Sequence, residues 1–80
     1  MYFVYILRSD SGRHYIGSTE DLEKRIFQHN SQLNRGWTKR YKGWKLIYHE
    51  TYSTRHEALK RERSIKGMKG GVAFHELVGS

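Results

Sequence analysis

Residues 5–25 read Y-I-L-R-S-D-S-G-R-H-Y-I-G-S-T-E-D-L-E-K-R, and this stretch decides the expected fold. The segment that leads into it, residues 2–8, is rich in β-branched, aromatic and aliphatic side chains, which favours a β-strand. The S-D-S-G cluster at 9–12 predicts a tight turn, because glycine adopts positive φ at little cost. Residues 14–17 return to strand chemistry, so the two segments predict a β-hairpin. The S-T-E-D sequence at 18–21 sets a serine three residues before an acid, which predicts that a capped helix follows.

The first helix is expected over about residues 19–31. Leu22, Ile26 and Leu33 fall near one face of it, and Phe27 lies beside them. This amphipathic pattern predicts that the helix packs on the hairpin.

Arg25 and His29 are four residues apart on the same helix, so they point to the same side and flank its apolar face. In an arbitrary helix such a pair is most often a solvated arginine and a surface histidine. Its position shortly after Tyr-Ile-Gly at 15–17 favours a functional pair.

The second half of the chain predicts a third strand and a second helix. In the strand, residues 44–52, neither alternating face is purely apolar, which suits a sheet that is partly covered on both sides. Thr54 and Glu57 have the spacing of a capping box, and the helix that they open should reach about Met68. The tail, residues 71–80, predicts one further short helix through its apolar residues, Phe74 and Leu77.

Glu62 lies inside the apolar side of the second helix, whose other members are Ala58, Leu59, Ile65 and Met68. A carboxylate at a core edge is costly unless it is paired or bound to a metal ion. The ordinary explanation is a salt bridge to an arginine, and the functional one is a metal ligand. Glu57 and Glu76, in contrast, have the pattern of a capping acid and a surface acid.

Residues 31–45 are the most basic part of a chain whose formal net charge is +7. Cations can neutralise phosphates while aromatic faces stack on bases, so the segment predicts a nucleic-acid-binding surface. Its expected contact residues are Arg35, Trp37, Lys39, Arg40 and Lys42. The alternative is that the tryptophans fold back onto the core and leave the cations solvated. The core is favoured for Trp44, next to the third strand, and the two alternatives are balanced for Trp37.

Composition limits the class of protein. The 80 residues are enough for one domain with a small core, since a chain of this size buries only about 60% of its unfolded surface. No apolar run approaches the roughly 20 residues that cross a bilayer, and no secretory signal is evident. The absence of cysteine excludes disulfides and thiolate metal sites and suits a cytoplasmic protein. The five histidines lack the short spacings of a zinc site.

The run Y-I-G-S-x-x-D-L-x-x-R-x-x-x-H, which ends at His29, resembles the GIY-YIG nuclease family. Phe3-Val4-Tyr5 stands at the right distance upstream for the first half of the family motif, with Phe3 where the family often has glycine. The order E-A-L-x-x-E-x-x-x-K at 57–66 resembles the metal-binding helix of the family. The resemblance covers residues 2–66 and is closest to the small single-domain bacterial members.

The resemblance implies a small α/β fold, with a three-stranded, mainly antiparallel sheet flanked by helices, as one domain over residues 1–80. It also implies a nuclease that hydrolyses phosphodiester bonds with one divalent ion, Mg²⁺ or Mn²⁺, and DNA is the expected substrate. Glu62 would hold the ion, and Arg25 would bind the scissile phosphate. Tyr5 would activate water with a lowered pKa, Tyr15 would position water or phosphate, and His29 would relay a proton or bind phosphate.

Two other classes of function remain open at this level. The degenerate Phe3-Val4-Tyr5 and the lack of an asparagine after Asn34 favour a nucleic-acid-binding module that has lost catalysis. The joint presence of Tyr5, Tyr15, Arg25, His29 and Glu62 favours the nuclease. A protein-interaction domain would show no salt-dependent binding of DNA.

Overall fold

A computed structural model describes residues 1–30, 43–68 and 71–79. These residues form β1 (Tyr2–Arg8), β2 (His14–Thr19), α1 (Leu22–Asn30), β3 (Lys45–Tyr52), α2 (Arg55–Met68) and α3 (Val72–Val78). The sheet order is β2-β1-β3, and β1 is antiparallel to both of its neighbours. The predicted three-stranded α/β fold is therefore confirmed.

The turn between β1 and β2 forms as the sequence predicts. Ser9 is the buried centre of the turn: its backbone N–H donates to the carbonyl of Arg13 at 2.8 Å, and its hydroxyl accepts the Arg13 N–H at 3.1 Å. Gly12 takes a φ of 88° and donates its N–H to the Ser9 carbonyl. A side chain at that φ would be strained, so glycine is required there.

The third strand is one residue shorter than predicted and contains a β-bulge. The register with β1 pairs Ile6 with Tyr48 and Leu7 with Leu46, so Ile47 is an extra residue in a β-bulge. The bulge reverses the alternation: Leu46 packs with the core that contains Leu7, whereas Tyr48 packs with the core that contains Ile6. Every second residue is still the more buried one, as predicted, but the bulge divides these residues between the two faces of the sheet.

Both faces of the sheet are covered, as the mixed character of the third strand predicts. One core lies between the sheet and helices α2 and α3, and its buried members are Val4, Ile6, Ile16, Ala58, Ile65 and Phe74. The other lies on the opposite face, where Leu22 and Ile26 of α1 pack against Tyr5, Leu7 and Trp44. Each buried large aliphatic side chain contributes about 1.5–3 kcal/mol, so two small cores share the stabilisation of the fold.

Helix α1 begins later than predicted. Thr19 still pairs with Phe3 in the sheet, so β2 includes the residue at which the helix was expected to begin, and α1 begins at Leu22. Asp21, rather than Ser18, caps the helix, because its Oδ1 accepts the N–H of Lys24 at 3.1 Å. Phe27 was expected beside the apolar face but is 73% exposed, since its position lies well away from Leu22 around the helix.

Helices α2 and α3 agree with the sequence. Thr54 Oγ1 accepts the N–H of Glu57 at 3.3 Å and donates to the Glu57 carboxylate at 2.9 Å, which completes the predicted cap. In α3, Phe74 is buried against the ring of His14, with ring centroids 5.1 Å apart. Within the described ranges, no helix is long and apolar enough to cross a membrane.

Candidate active site

The predicted catalytic side chains of the hairpin and of α1 meet on the face of the sheet that α1 covers. The Tyr5 hydroxyl lies 3.1 Å from His29 Nε2 and accepts a hydrogen bond from Arg25 Nε at 3.3 Å. The Tyr15 ring lies beside them, with its centroid 4.4 Å from that of His29 and 6.1 Å from that of Tyr5. Four residues that span 25 positions of sequence thus form one cluster.

Gly17 leaves the space in which this cluster assembles. A Cβ atom at position 17 would lie 2.7 Å from the Tyr5 hydroxyl and 2.9 Å from Tyr15 Cε1, closer than side chains pack. Gly17 pairs with Tyr5 across the hairpin, so the Tyr5 ring lies over the backbone of β2. The glycine of the Y-I-G motif therefore has a steric role at this site.

Tyr5 does not have the lowered pKa that water activation was expected to require. Its side chain is fully buried, and burial raises the pKa of Tyr5 to about 12, although the hydrogen bond from Arg25 acts in the opposite direction. The Glu62 carboxylate adds a small further increase. In the protein alone, Tyr5 is a neutral phenol at neutral pH.

His29 belongs to the core rather than to its edge. It is 6% exposed, and burial, together with the charge of Arg25, lowers the pKa of His29 to about 4. The ring is therefore neutral at pH 7, and its hydrogen bond to Tyr5 can run in either direction, depending on the tautomer. Nδ1 is buried without a hydrogen-bond partner among the described residues.

Arg25 links this cluster to the solvent. Its Nη1 donates to Gln28 Oε1 at 3.2 Å, and its Nε donates to Tyr5, so two different side chains orient the guanidinium group. The hydrogen bond with Tyr5 raises the pKa of Arg25, which keeps the group charged. A guanidinium group that is oriented in this way can donate hydrogen bonds to the oxygens of a phosphate.

Glu62 projects from α2, which packs on the opposite face of the sheet. Arg61 ties one flank of α2 to Glu50 of β3, with N–O distances of 2.9 and 3.1 Å. Arg55, Leu59, Glu62 and Lys66 recur at helical spacing along the other flank, so that flank faces β2. Because Tyr5 lies over β2, this geometry brings Glu62 to the same edge of the sheet.

The expected salt bridge of Glu62 involves a lysine instead of an arginine. Lys66 Nζ lies 2.8 Å from Glu62 Oε2 one turn along α2, and the Glu62 side chain is 15% exposed. The carboxylate is thus largely shielded from solvent, and its partner Lys66 is half exposed. Helix pairs at this spacing contribute about 0.3–0.5 kcal/mol, so an ion could displace Lys66 at small cost.

The donor set fits a hydrated divalent ion. Among residues 1–30, 43–68 and 71–79, no group of three or more histidine, cysteine, aspartate or glutamate side chains could hold a metal. A closed zinc site is therefore absent from this part of the chain. Mg²⁺ typically uses one or two carboxylates, water and substrate phosphate, and Glu62 matches that requirement.

The nucleic-acid-binding residues predicted from the basic segment lie outside the described residues: Arg35, Trp37, Lys39, Arg40 and Lys42. Trp44, at the end of that segment, is 2% exposed and packs near His29 and Tyr15, which supports the core assignment made for it. The Asn30 side chain anchors it, because its amide accepts the Trp44 N–H at 2.8 Å and donates to the Trp44 carbonyl at 3.0 Å.

Sequence reasoning did not assign site roles to Gly17, Gln28, Asn30 and Lys66. Lys66 could have been recognised from its spacing, since a lysine four residues after a glutamate commonly pairs with it. The roles of Gly17 and Asn30 depend on contacts across the sheet and between distant segments, which no local pattern reveals.

Comparison with known proteins identifies the family. The sequence model of one protein family, the GIY-YIG catalytic domain, matches residues 1–71 of this chain. A UPF0213 protein of Staphylococcus epidermidis is 42% identical over 65 residues, which cover 81% of this chain and 79% of that protein. A UPF0213 protein of Staphylococcus saprophyticus is 40% identical with the same coverage.

A solved structure agrees with these matches. The solution NMR structure of a UPF0213 protein from Bacillus halodurans has a TM-score of 0.50 and 25% identity to this chain, and it covers 95% of this chain and 94% of its own. The motif, the fold and the family match coincide over most of the sequence. The chain belongs to the GIY-YIG family, a family of nucleases.

Proposed function

We propose that the protein is a metal-dependent nuclease that hydrolyses phosphodiester bonds in nucleic acid, with DNA as the expected substrate. The observation that carries this proposal is the hydrogen-bonded group of Arg25, Tyr5 and His29. The Tyr5 hydroxyl contacts both a guanidinium group that can bind phosphate and a neutral imidazole that can accept a proton. These groups can assist the attack of water on a phosphate.

In the proposed reaction, Arg25 binds the scissile phosphate through the guanidinium edge that Tyr5 and Gln28 leave available. Tyr5 accepts a proton from the attacking water as its own proton moves to His29 Nε2, in the tautomer with the ring proton on Nδ1. The water oxygen forms the new P–O bond, and the departing oxygen takes a proton from solvent. The phosphate charge raises the proton affinity of the nearby His29 above its value in the free protein.

Glu62 would hold the divalent ion, and Lys66 would release the carboxylate when the ion binds. When bound, such an ion stabilises charge on the phosphate oxygens as a Lewis acid. Tyr15 lies against His29 and Tyr5, where its hydroxyl would orient water or phosphate.

A nucleic-acid-binding module without catalysis is the second candidate. Two observations favour it: the pKa of Tyr5 is raised to about 12, and Lys66 occupies the Glu62 carboxylate. Both candidates predict salt-dependent binding of nucleic acid, but only the nuclease predicts bond cleavage.

The test is a cleavage assay of the full chain on single-stranded DNA, duplex DNA, flap DNA and RNA, with Mg²⁺, with Mn²⁺ and with chelator. We expect cleavage of at least one substrate that depends on the divalent ion. Binding of these substrates without cleavage of any of them would favour the second candidate. Absence of both binding and cleavage would contradict both.

A further inference from the structure

A cleft lies along the edge of the sheet beside the candidate active site. Its volume is about 340 Å³, and its lining residues are Tyr2, Ser18, Thr19, Glu20, Arg55 and Leu59. Ser18 and Thr19 directly follow Gly17, over which the Tyr5 hydroxyl lies. The cleft therefore lies along the same edge strand, β2, on the side that α2 covers.

The helix that forms the other wall carries Glu62. Arg55, Leu59 and Glu62 follow each other at spacings of four and three residues, so they share one flank of α2. Seven residues of helix separate Arg55 from Glu62, which corresponds to about 10 Å. A nucleic acid strand with its scissile phosphate at Glu62 and Arg25 would thus have a neighbouring phosphate within reach of Arg55.

The cleft offers donors to such a phosphate. Arg55 is exposed, and no carboxylate of the described residues forms an ion pair with it. Ser18 lies in the opposite wall, half-buried, and its hydroxyl can donate to a phosphate, whereas the Thr19 hydroxyl already donates to the Asp21 carbonyl at 3.3 Å. Arginine together with hydroxyl groups is a common donor set for phosphate oxygens in nucleic acid complexes.

Glu20 places a negative charge in the cleft. The Tyr2 hydroxyl hydrogen-bonds to Glu20, which raises the pKa of Tyr2. Glu20 repels a phosphate in the cleft, whereas Arg55, which also acts on the Tyr2 hydroxyl, attracts one. Removing the charge of Arg55 should therefore weaken the binding of nucleic acid, and removing the charge of Glu20 should strengthen it.

We propose that Arg55, with the hydroxyl of Ser18, forms a second phosphate subsite that holds the nucleic acid backbone beside the scissile bond. The proposal rests on the proposed function for the position of the scissile phosphate. It adds the path of the substrate strand, which follows the outer edge of β2. Phosphates of one strand lie farther apart than the axial rise per step, so the subsite holds a phosphate one or two positions from the cut.

The experiment replaces one phosphodiester at a time with a neutral methylphosphonate in a fluorescent DNA hairpin that carries a single-stranded tail. Affinity is measured with chelator present, so that binding is separated from cleavage. For the wild-type chain, we expect affinity to fall when one linkage near the cut is neutral. Arg55→Ala should weaken binding, lower the salt slope by about 0.7–0.9 and remove the sensitivity to that linkage.

Two further variants complete the design. Arg63→Ala removes the same charge from an exposed position of the same helix outside the cleft, and it should retain the sensitivity to the neutral linkage. Glu20→Gln should tighten binding, because it removes the repulsive charge from the cleft.

An Arg55→Ala variant that keeps the full sensitivity at every linkage, or that matches Arg63→Ala in affinity and slope, would overturn the subsite. That result leaves the nuclease proposal intact, because the wild-type chain would still bind and cut. Conversely, a wild-type chain that binds with the expected linkage pattern and never cuts would refute the nuclease while it supports the subsite.

Discussion

At the scale of single residues, the site depends on the absence of a side chain at Gly17. The Tyr5 ring crosses the backbone there because glycine has no Cβ, and its hydroxyl then reaches both Arg25 and His29. The sequence motif identified this glycine, but the motif alone gives no reason for it. The reason is the close approach of a tyrosine from the neighbouring strand.

We predict that Gly17→Ala displaces Tyr5 and Tyr15, since the added Cβ would lie within 2.9 Å of both rings. Overpacking of this kind costs about 1–3 kcal/mol, and a misplaced catalytic group can cost about 10²-fold in rate. Urea unfolding and initial cleavage rates measure the two effects.

Gly67→Ala is the matched control for this change, because nothing lies within 4 Å of its added Cβ. Alanine is the better helix former by about 1 kcal/mol, so this variant should be at least as stable as wild type. A Gly17→Ala protein with wild-type stability and rate would show that the close approach of Tyr5 is not required.

At the scale of elements, two sets of side-chain hydrogen bonds fix how α2 and α1 are oriented on the sheet. The sequence patterns that predict strands and helices do not determine these orientations. The Glu50 carboxylate accepts hydrogen bonds from Tyr48, Tyr52 and Arg61, which fixes one flank of α2 against β3. The other flank, with Glu62, is thereby turned to β2. Asn30 fixes the end of α1 to Trp44 in a similar way.

The elements themselves were predictable because their signals are local. The turn residues at 9–12 predict the hairpin. The capping box and the apolar periodicity predict where α2 begins and ends, and each of these signals spans only a few positions. The bulge at Ile47 was not predictable, because it depends on the register between β1 and β3. The predicted start of α1 was wrong for the same reason. Thr19 pairs with Phe3, so β2 includes Ser18, the residue that was expected to cap the helix.

The sequence was sufficient to predict which residues form the candidate site, but not how deeply they are buried or how burial shifts their pKa values. The motif spacing assigned Tyr5, Tyr15, Arg25 and His29 to one site, and the structure brings these four together. The burial of His29 and Tyr5, and the resulting pKa shifts, arise from two layers of packing that the sequence does not specify.

At the scale of the whole molecule, the burial of His29 makes stability depend on pH. Its pKa is lowered from 6.5 to about 4 on folding, so between these values the unfolded chain binds a proton that the folded protein excludes. Stability is therefore lost as the pH falls below 6.5. A shift of this size corresponds to about 3–4 kcal/mol over the window.

We predict that His29→Gln flattens the fall in the free energy of unfolding between pH 6.5 and about 4, as measured by urea unfolding across that range. His49→Gln, at an exposed position of β3, serves as the control and should keep the wild-type slope. Glu50 contributes separately at lower pH, because Arg61, Tyr48 and Tyr52 outweigh burial and lower its pKa below 4.5. An unchanged slope in His29→Gln would contradict the buried neutral state of His29.

The most direct test of the central claim, a nuclease with one carboxylate for its metal ion, is the rate of cleavage by Glu62→Gln in Mg²⁺. The change removes the charge that a hard cation needs, but glutamine can still accept a hydrogen bond from Lys66. We expect a folded protein that binds nucleic acid at least as tightly as wild type and does not cut. Glu76→Gln, at an exposed position of α3, should cut normally. A folded Glu62→Gln protein that cleaves at the wild-type rate in Mg²⁺ would contradict the account.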